Sequence, residues 1–290
     1  MGTSSSSKGS PANVPMVPPW VPPLPSLPPP APDGAPQENP QQPAPETTAA
    51  TNTPAQALPA ARVPMAPRRR FAPARSAASR FAASGSARDM KRSVGRYVRS
   101  GYGGASTTTQ RLGGTISNAG ALYSVLAPGE AAAGAEPTRT IDRALLAGRS
   151  ANEIMDAVVE AVRPVDGTQD SEASRKAIKG SLSDVLERYP DANLLDLTEE
   201  QRGFAIERYV ALDVFQRYCL DIGKTIQDNA PNSTAVLSRL KDIREYIRET
   251  VTAAFRKLRT AGQTLGARRI SQIVSTALLQ ACQTFEQDGI

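Results

Sequence analysis

The chain begins MGTSSSSKGS, and once Met1 is removed this end carries the most reactive amine in the sequence. An α-amine with a pKa near 7.8 is roughly a tenth neutral at pH 7, whereas a lysine amine near 10.4 is neutral at under about one part in a thousand. The Gly2 amine is therefore richer in its nucleophilic form than Lys8 by several hundredfold, roughly. Glycine adds no side chain to hinder attack, and Thr3 and Ser4 to Ser7 are small enough to thread a narrow active site. The same start fits the N-myristoylation pattern, with Ser6 in the required place, although one acyl chain without a polybasic neighbour anchors weakly.

The remaining inventory argues against catalysis by the chain itself. There is no histidine, which removes the usual general base, the usual imidazole metal ligand and every histidine-containing triad. Cys219 and Cys282 are isolated in helical patterns, too few for a structural zinc site or a disulfide scaffold, and read as buried thiols of a reducing compartment. Neither a secretion signal nor an apolar run long enough for a membrane span is evident, so the cytoplasm is the expected location.

Two stretches offer anion chemistry. GYGGAS at 101–106 falls between two predicted helices beside Arg96, Arg99 and Arg111, where amides and guanidinium groups could hold a phosphate. It lacks the preceding strand of a dinucleotide fold and the Gly-Lys-Ser/Thr ending of a P-loop, and it equally fits a plain helix-stop turn. RRRF at 68–71 opens a basic stretch, and Arg68, Arg69, Arg70, Arg96, Arg99 and Arg111 form a candidate set of phosphate or nucleic-acid contacts. No base-reading motif accompanies them, and a solvated face or a dock for an acidic partner fits the same charges.

The elements that must position these groups follow from composition. Of the 25 prolines, 20 lie within residues 1–73, and residues 1–66 are too poor in apolar and charged side chains to fold alone. They read as a disordered, partly polyproline II tail. Within it Val14, Met16, Val17, Trp20, Val21 and Leu24 suggest a short apolar anchor, and Trp20 is the only tryptophan. Residues 3–66 as a flexible coil would span about 45 Å. Residues 67–111 form a basic neck with 11 Lys or Arg against the single Asp89, and 112–290 a slightly acidic body; 67–290 is expected to fold as one unit.

From residue 73 onward apolar residues recur at three and four, so the folded part is all-α, a bundle-like body of seven to nine helices. Gly85 and Gly101 end the first two. A third is predicted over 106–126. Ser150 with Glu153 and Thr198 with Gln201 are capping boxes, and Asp170 is placed to cap the run through Tyr189. The helix after Thr198 is predicted to stop at Gly223. The stripe from Leu240 to Leu258 is heptad-like but wide, which favours core packing over a coiled-coil seam.

MGTSSS, VPMVPPW, RRRFAPARSAASRFAASGS, SVGRYVRSGYGGASTTTQRLGG, VDGTQDSEASRKAI and RYCLDIGKTI, in that order, resemble the QatB family of the bacterial Qat anti-phage defence system. The resemblance implies a non-catalytic component that works beside an ATPase (QatA), a QueC-like enzyme (QatC) and a TatD-like nuclease (QatD). QueC relatives activate a 7-deazaguanine carboxylate with ATP and pass it to an amine. By analogy with related defence systems, Gly2 would receive a 7-deazaguanine through an amide bond, with Thr3 and Ser4 as recognition contacts and Trp20 as a docking anchor. The competing expectation is a nucleic-acid-binding adaptor using 68–111, and a membrane-anchored adaptor stands third.

Overall fold

A computed structural model of the chain describes residues 16–17, 66–127, 141–263, 266 and 269–290, and every regular element among them is helical. α1 (Ala72–Ser84) is followed by α2 (Ala87–Arg96), which runs on through a π-helical turn, Tyr97–Gly101. α3 (Ala105–Arg111) and α4 (Gly113–Leu126) come next, then α5 (Arg143–Leu146), α6 (Ala151–Val162) and α7 (Gln169–Arg188). α8 (Glu199–Tyr218) continues through a second π turn, Cys219–Gly223, into α9 (Lys224–Asn229). α10 (Ser233–Thr260) and α11 (Ile270–Asp288) complete the all-α body.

Most helix ends obey local chemistry. Gly85, at φ 75°, closes α1 in the left-handed conformation that costs glycine nothing. Both expected capping boxes form, at Ser150 with Glu153 and at Thr198 with Gln201. Three expectations need correction. The single helix over 106–126 breaks at Leu112, whose ψ of 16° leaves the helix just before Gly113 and Gly114. Thr168, not Asp170, caps α7: its backbone is extended and its hydroxyl accepts from Ser171 N–H at 3.1 Å, while Asp170 sits in the first turn, 3.5 Å from Arg217. Gly223 keeps helical angles, so the chain stays helical to Asn229.

One core joins the elements. The basic segment expected as a neck with the first helices supplies Phe71, Phe81, Met90, Val94 and Tyr97 to it and forms a wall of the body. α8 is buried on nearly every side, between α7, α4 and α10, and α11 packs against α2, α3, α4 and α10. The Leu240 to Leu258 stripe is core, with Ile243, Ile247, Val251, Ala254 and Leu258 buried. Inside, the fully buried Asp213 of α8 accepts from Thr115 of α4, Ser174 of α7 at 2.7 Å and Arg217 at 3.1 Å. A buried charge is tolerable only when it is paired in this way.

α2 and α11 approach at a pair of glycines. A Cβ on Gly95 would lie 2.4 Å from Gly289 Cα and 2.4 Å from the Phe285 carbonyl oxygen. Gly95→Ala would gain up to about 1 kcal/mol of helix propensity, yet must push two backbones apart. The expected outcome is a net loss of about 1–2 kcal/mol in urea unfolding.

Candidate functional site: a tail-docking site at two π turns

The two π turns face each other. Tyr97 opens the first, and its hydroxyl donates to Asp221 Oδ2 of the second at 3.0 Å. Tyr102, just past the first turn, donates to the same oxygen at 2.9 Å, and Arg75 of α1 donates to the Asp221 carbonyl at 3.3 Å. A π turn inserts one residue into a helix and re-aims the side chains around it, and such turns are frequent at functional sites. Here they bring a carboxylate and two phenols into register across two helices.

The surroundings are aromatic. Phe71 stacks on Tyr97 at 5.7 Å between ring centroids and meets Tyr102 edge-on at 5.5 Å; Tyr218 meets Tyr97 edge-on at 5.2 Å. Gly101 is required beneath Phe71, because a Cβ there would lie 2.6 Å from the Phe71 ring. Two guanidinium groups face the Tyr102 ring, Arg111 at 5.1 Å and Arg70 at 5.7 Å. Arg70 is buried, with Nε unpartnered, and burial followed by repulsion from Arg111 lowers its pKa.

The tail meets the body at this point. Met16 is only 3% exposed, Arg111 Nη1 donates to its carbonyl oxygen, and a Cβ on Gly103 would lie 2.9 Å from Met16 Cε. Gly103, at φ 82°, is thus needed twice, for its backbone and for the methionine above it. Of the six apolar residues suggested as an anchor, two are among the described residues, Met16, which is seated, and Val17, half-buried beside it; Val14, Trp20, Val21 and Leu24 lie outside them.

The arrangement is a set of hydrogen-bond donors gathered around one carboxylate. Burial pushes the Asp221 carboxyl above its ordinary value, against the lowering effect of the two tyrosine hydrogen bonds, and burial likewise raises Tyr97 and Tyr102 so that both stay protonated donors. The site offers no activated nucleophile. Nor does GYGGAS hold an open anion cradle, because the Ala105 N–H that heads α3 is bonded to Glu286 Oε2 of α11 at 3.2 Å. The helix-stop alternative describes this turn.

Among the proposed phosphate contacts, the structure brings together only Arg70 and Arg111, and it turns both inward. Arg68 and Arg69 are exposed in the turn before α1, Arg99 is exposed in the first π turn, and Arg96 is half-buried at the end of α2. Elsewhere in the basic segment Arg80 pairs with Asp89 and Lys91 with Asp288. Gly2, Thr3, Ser4 and Trp20 lie outside the described residues. Sequence reasoning missed Tyr102 and Asp221. The available signal was Asp221 lying three residues after the inward Tyr218 and one before the inward Ile222, a carboxylate at the margin of an apolar face.

The family model described as QatB, Qat anti-phage system associated protein, matches residues 103–285, well over half of the chain. No curated protein and no solved structure matches it. Among the described residues no helix is long and apolar enough to cross a membrane.

Two outcomes test the site. Arg111→Ala should release Met16, so that peroxide converts it to the sulfoxide roughly tenfold faster, read by peptide mass; tenfold corresponds to about 1.4 kcal/mol of docking. Between the unfolded carboxylate value near 3.9 and the raised folded value of Asp221, the folded state binds the extra proton, so this group's contribution to stability falls as pH rises through that window. Asp221→Asn lacks this dependence. The unfolding free energy of wild type relative to Asp221→Asn should therefore decline as pH rises above about 4 and level off once the folded-state carboxyl has lost its proton.

Proposed function

The chain belongs to the QatB family of Qat anti-phage system associated proteins, and from that premise we propose that it is a protein substrate and adaptor rather than a catalyst. Its Gly2 amine, freed by removal of Met1, accepts a 7-deazaguanine acyl group from a QueC-like partner (QatC). The carboxylate is first activated by attack on the α-phosphorus of ATP, which forms an acyl adenylate as the α–β phosphoanhydride bond breaks and pyrophosphate leaves. The neutral amine attacks the acyl carbon, the amide C–N bond forms as the C–O bond to the nucleotide breaks, a proton leaves nitrogen, and the nucleoside monophosphate departs. Thr3 and Ser4 thread the partner's active site, Trp20 contributes to docking, and the body engages other Qat components, QatA and QatD among them, in the cytoplasm.

The observation that supports this reading is the seating of Met16. With an anchor at residue 16, only the thirteen residues 3–15 lie between Gly2 and the anchor, fourteen steps along the chain. Taken as the coil expected from its composition, a stretch of that length would span about 20 Å r.m.s., against about 45 Å for an unanchored tail, and no chain of that length exceeds about 50 Å. Because effective concentration falls roughly as the −3/2 power of linker length, the shorter leash raises encounter with an enzyme docked on the body about tenfold.

The test is the intact mass of the chain co-expressed with its QueC-like neighbour. A nucleobase-sized increment on the wild type, absent from Gly2→Val and accumulating more slowly in Arg111→Ala, is the expected result. An unmodified N-terminus in a defence-active complex would sink the idea. The nucleic-acid reading retains Arg68, Arg69 and Arg99 as exposed guanidinium groups. It requires binding that weakens steeply with salt and is lost when Arg68 and Arg69 are reversed to Glu.

A further inference from the structure

α10 has 28 residues, but its fully buried residues start only at Ile243; over 233–242, about 15 Å of helix at 1.5 Å per residue, no residue is fully buried. This stretch meets the body along one side, where Arg239 lies over Phe81 of α1 and Leu240 packs on the core. Most helical stability in proteins comes from packing an apolar face, so the side left open calls for an explanation. Its apolar residues are not absent. Leu237 stands 69% exposed and Leu240 is half-buried, and together with Phe204 and Phe215 of α8 they line an open groove of about 680 Å³ between α7, α8 and α10.

The walls of the groove are charged, with a positive excess. Arg188, Arg208, Lys241, Arg244 and Arg248 line it against Asp184, Glu187 and Glu245. The internal pairing is slack: Arg208 and Arg244 share Asp184 at 3.9 Å and 3.8 Å, and Arg208 Nε and Nη1 make no hydrogen bond. Arg248 is taken by Glu245. The Phe204 ring is covered by Arg208 at 4.7 Å and Arg188 at 5.1 Å, so its π face is not free for a nucleobase to stack on. What remains is an apolar slot along a helix, rimmed by cations.

We propose that this groove receives an acidic amphipathic helix of a protein partner in the Qat assembly. The apolar side of that helix would lie on Leu237, Leu240 and Phe215, and its carboxylates would meet Lys241 and Arg244. This is the helix-in-groove mode of recognition, with three to four anchors at helical spacing. Charge complementarity selects the acidic partner over a second copy of this chain, whose groove would bring like charge. A nucleic acid would satisfy the cations but leave the four apolar side chains in water. The inference rests on family membership for the existence of an assembly, and not on modification of Gly2.

The experiment uses the full chain in the purified assembly with its other Qat components. A zero-length carbodiimide should couple Lys241 to an Asp or Glu of a partner, in a segment with leucine-like residues spaced three and four apart. Leu237→Asp with Arg244→Glu should weaken that association at least tenfold. Leu237 is exposed, and Arg244 keeps only a slack pair with Asp184, so far-ultraviolet circular dichroism and the unfolding midpoint should stay near wild type. The proposal is overturned if Lys241 couples to no partner carboxylate. It is also overturned if the double variant binds as tightly as wild type, or if an oligo-dT probe, rather than a protein, protects Lys241 from coupling. Loss of the Gly2 mass increment leaves this result untouched, so the two proposals fail separately.

Discussion

A carboxylate drawn partly out of water between two helices is costly unless it is well partnered, and the half-buried Asp221 carboxylate sets that constraint here. Its two tyrosine donors come from Tyr97, inside a π turn, and Tyr102, just beyond it, while Asp221 lies inside the other π turn. The irregularity of each helix is thus matched to the other's. Tyr102, fixed by this bond, holds the ring that Arg70 and Arg111 face, and the glycines that follow it form the floor on which Met16 sits. Remove the carboxylate, and the tyrosines lose the acceptor that aligns the tail site.

Of the six sequence blocks that carry the family resemblance, four, scattered along the chain, are gathered by the fold. VPMVPPW brings Met16, RRRFAPARSAASRFAASGS brings Arg70, Phe71 and Arg75, the SVGRYVRSGYGG block brings Tyr97, Tyr102 and Gly103, and RYCLDIGKTI brings Tyr218 and Asp221. Their convergence gives the blocks one physical purpose. In the reading proposed above, the body's part is to set how far from it the amino end can react.

Much of this was legible in the sequence. Three- and four-residue spacing gave the helices, and Ser150, Thr198 and Gly85 marked ends because their chemistry is local and satisfied within four residues. What stayed hidden was non-local or off-period. A π turn adds one residue to a helical repeat, so Tyr102 and Asp221 fall out of the register that periodicity reads. Leu112 breaks a helix that spacing alone makes continuous. Arg70 looked like the exposed end of a basic run, and only the aromatic cluster beneath it explains its burial. The open groove beside Leu237 and Leu240 was invisible for the opposite reason, since the α10 stripe reads the same whether or not a neighbour covers it.

The most direct measurement is a pulsed dipolar distance between nitroxides on Ser4→Cys and Ser106→Cys. Ser106 is exposed next to the Met16 seat, and the native thiols of Cys219 and Cys282, pushed up to about 12 by burial, react poorly with the label. With Met16 docked, the distances should concentrate below about 40 Å and extend to longer values in Arg111→Ala. A broad distribution reaching well past that limit in the wild type, unchanged by Arg111→Ala, would contradict the account.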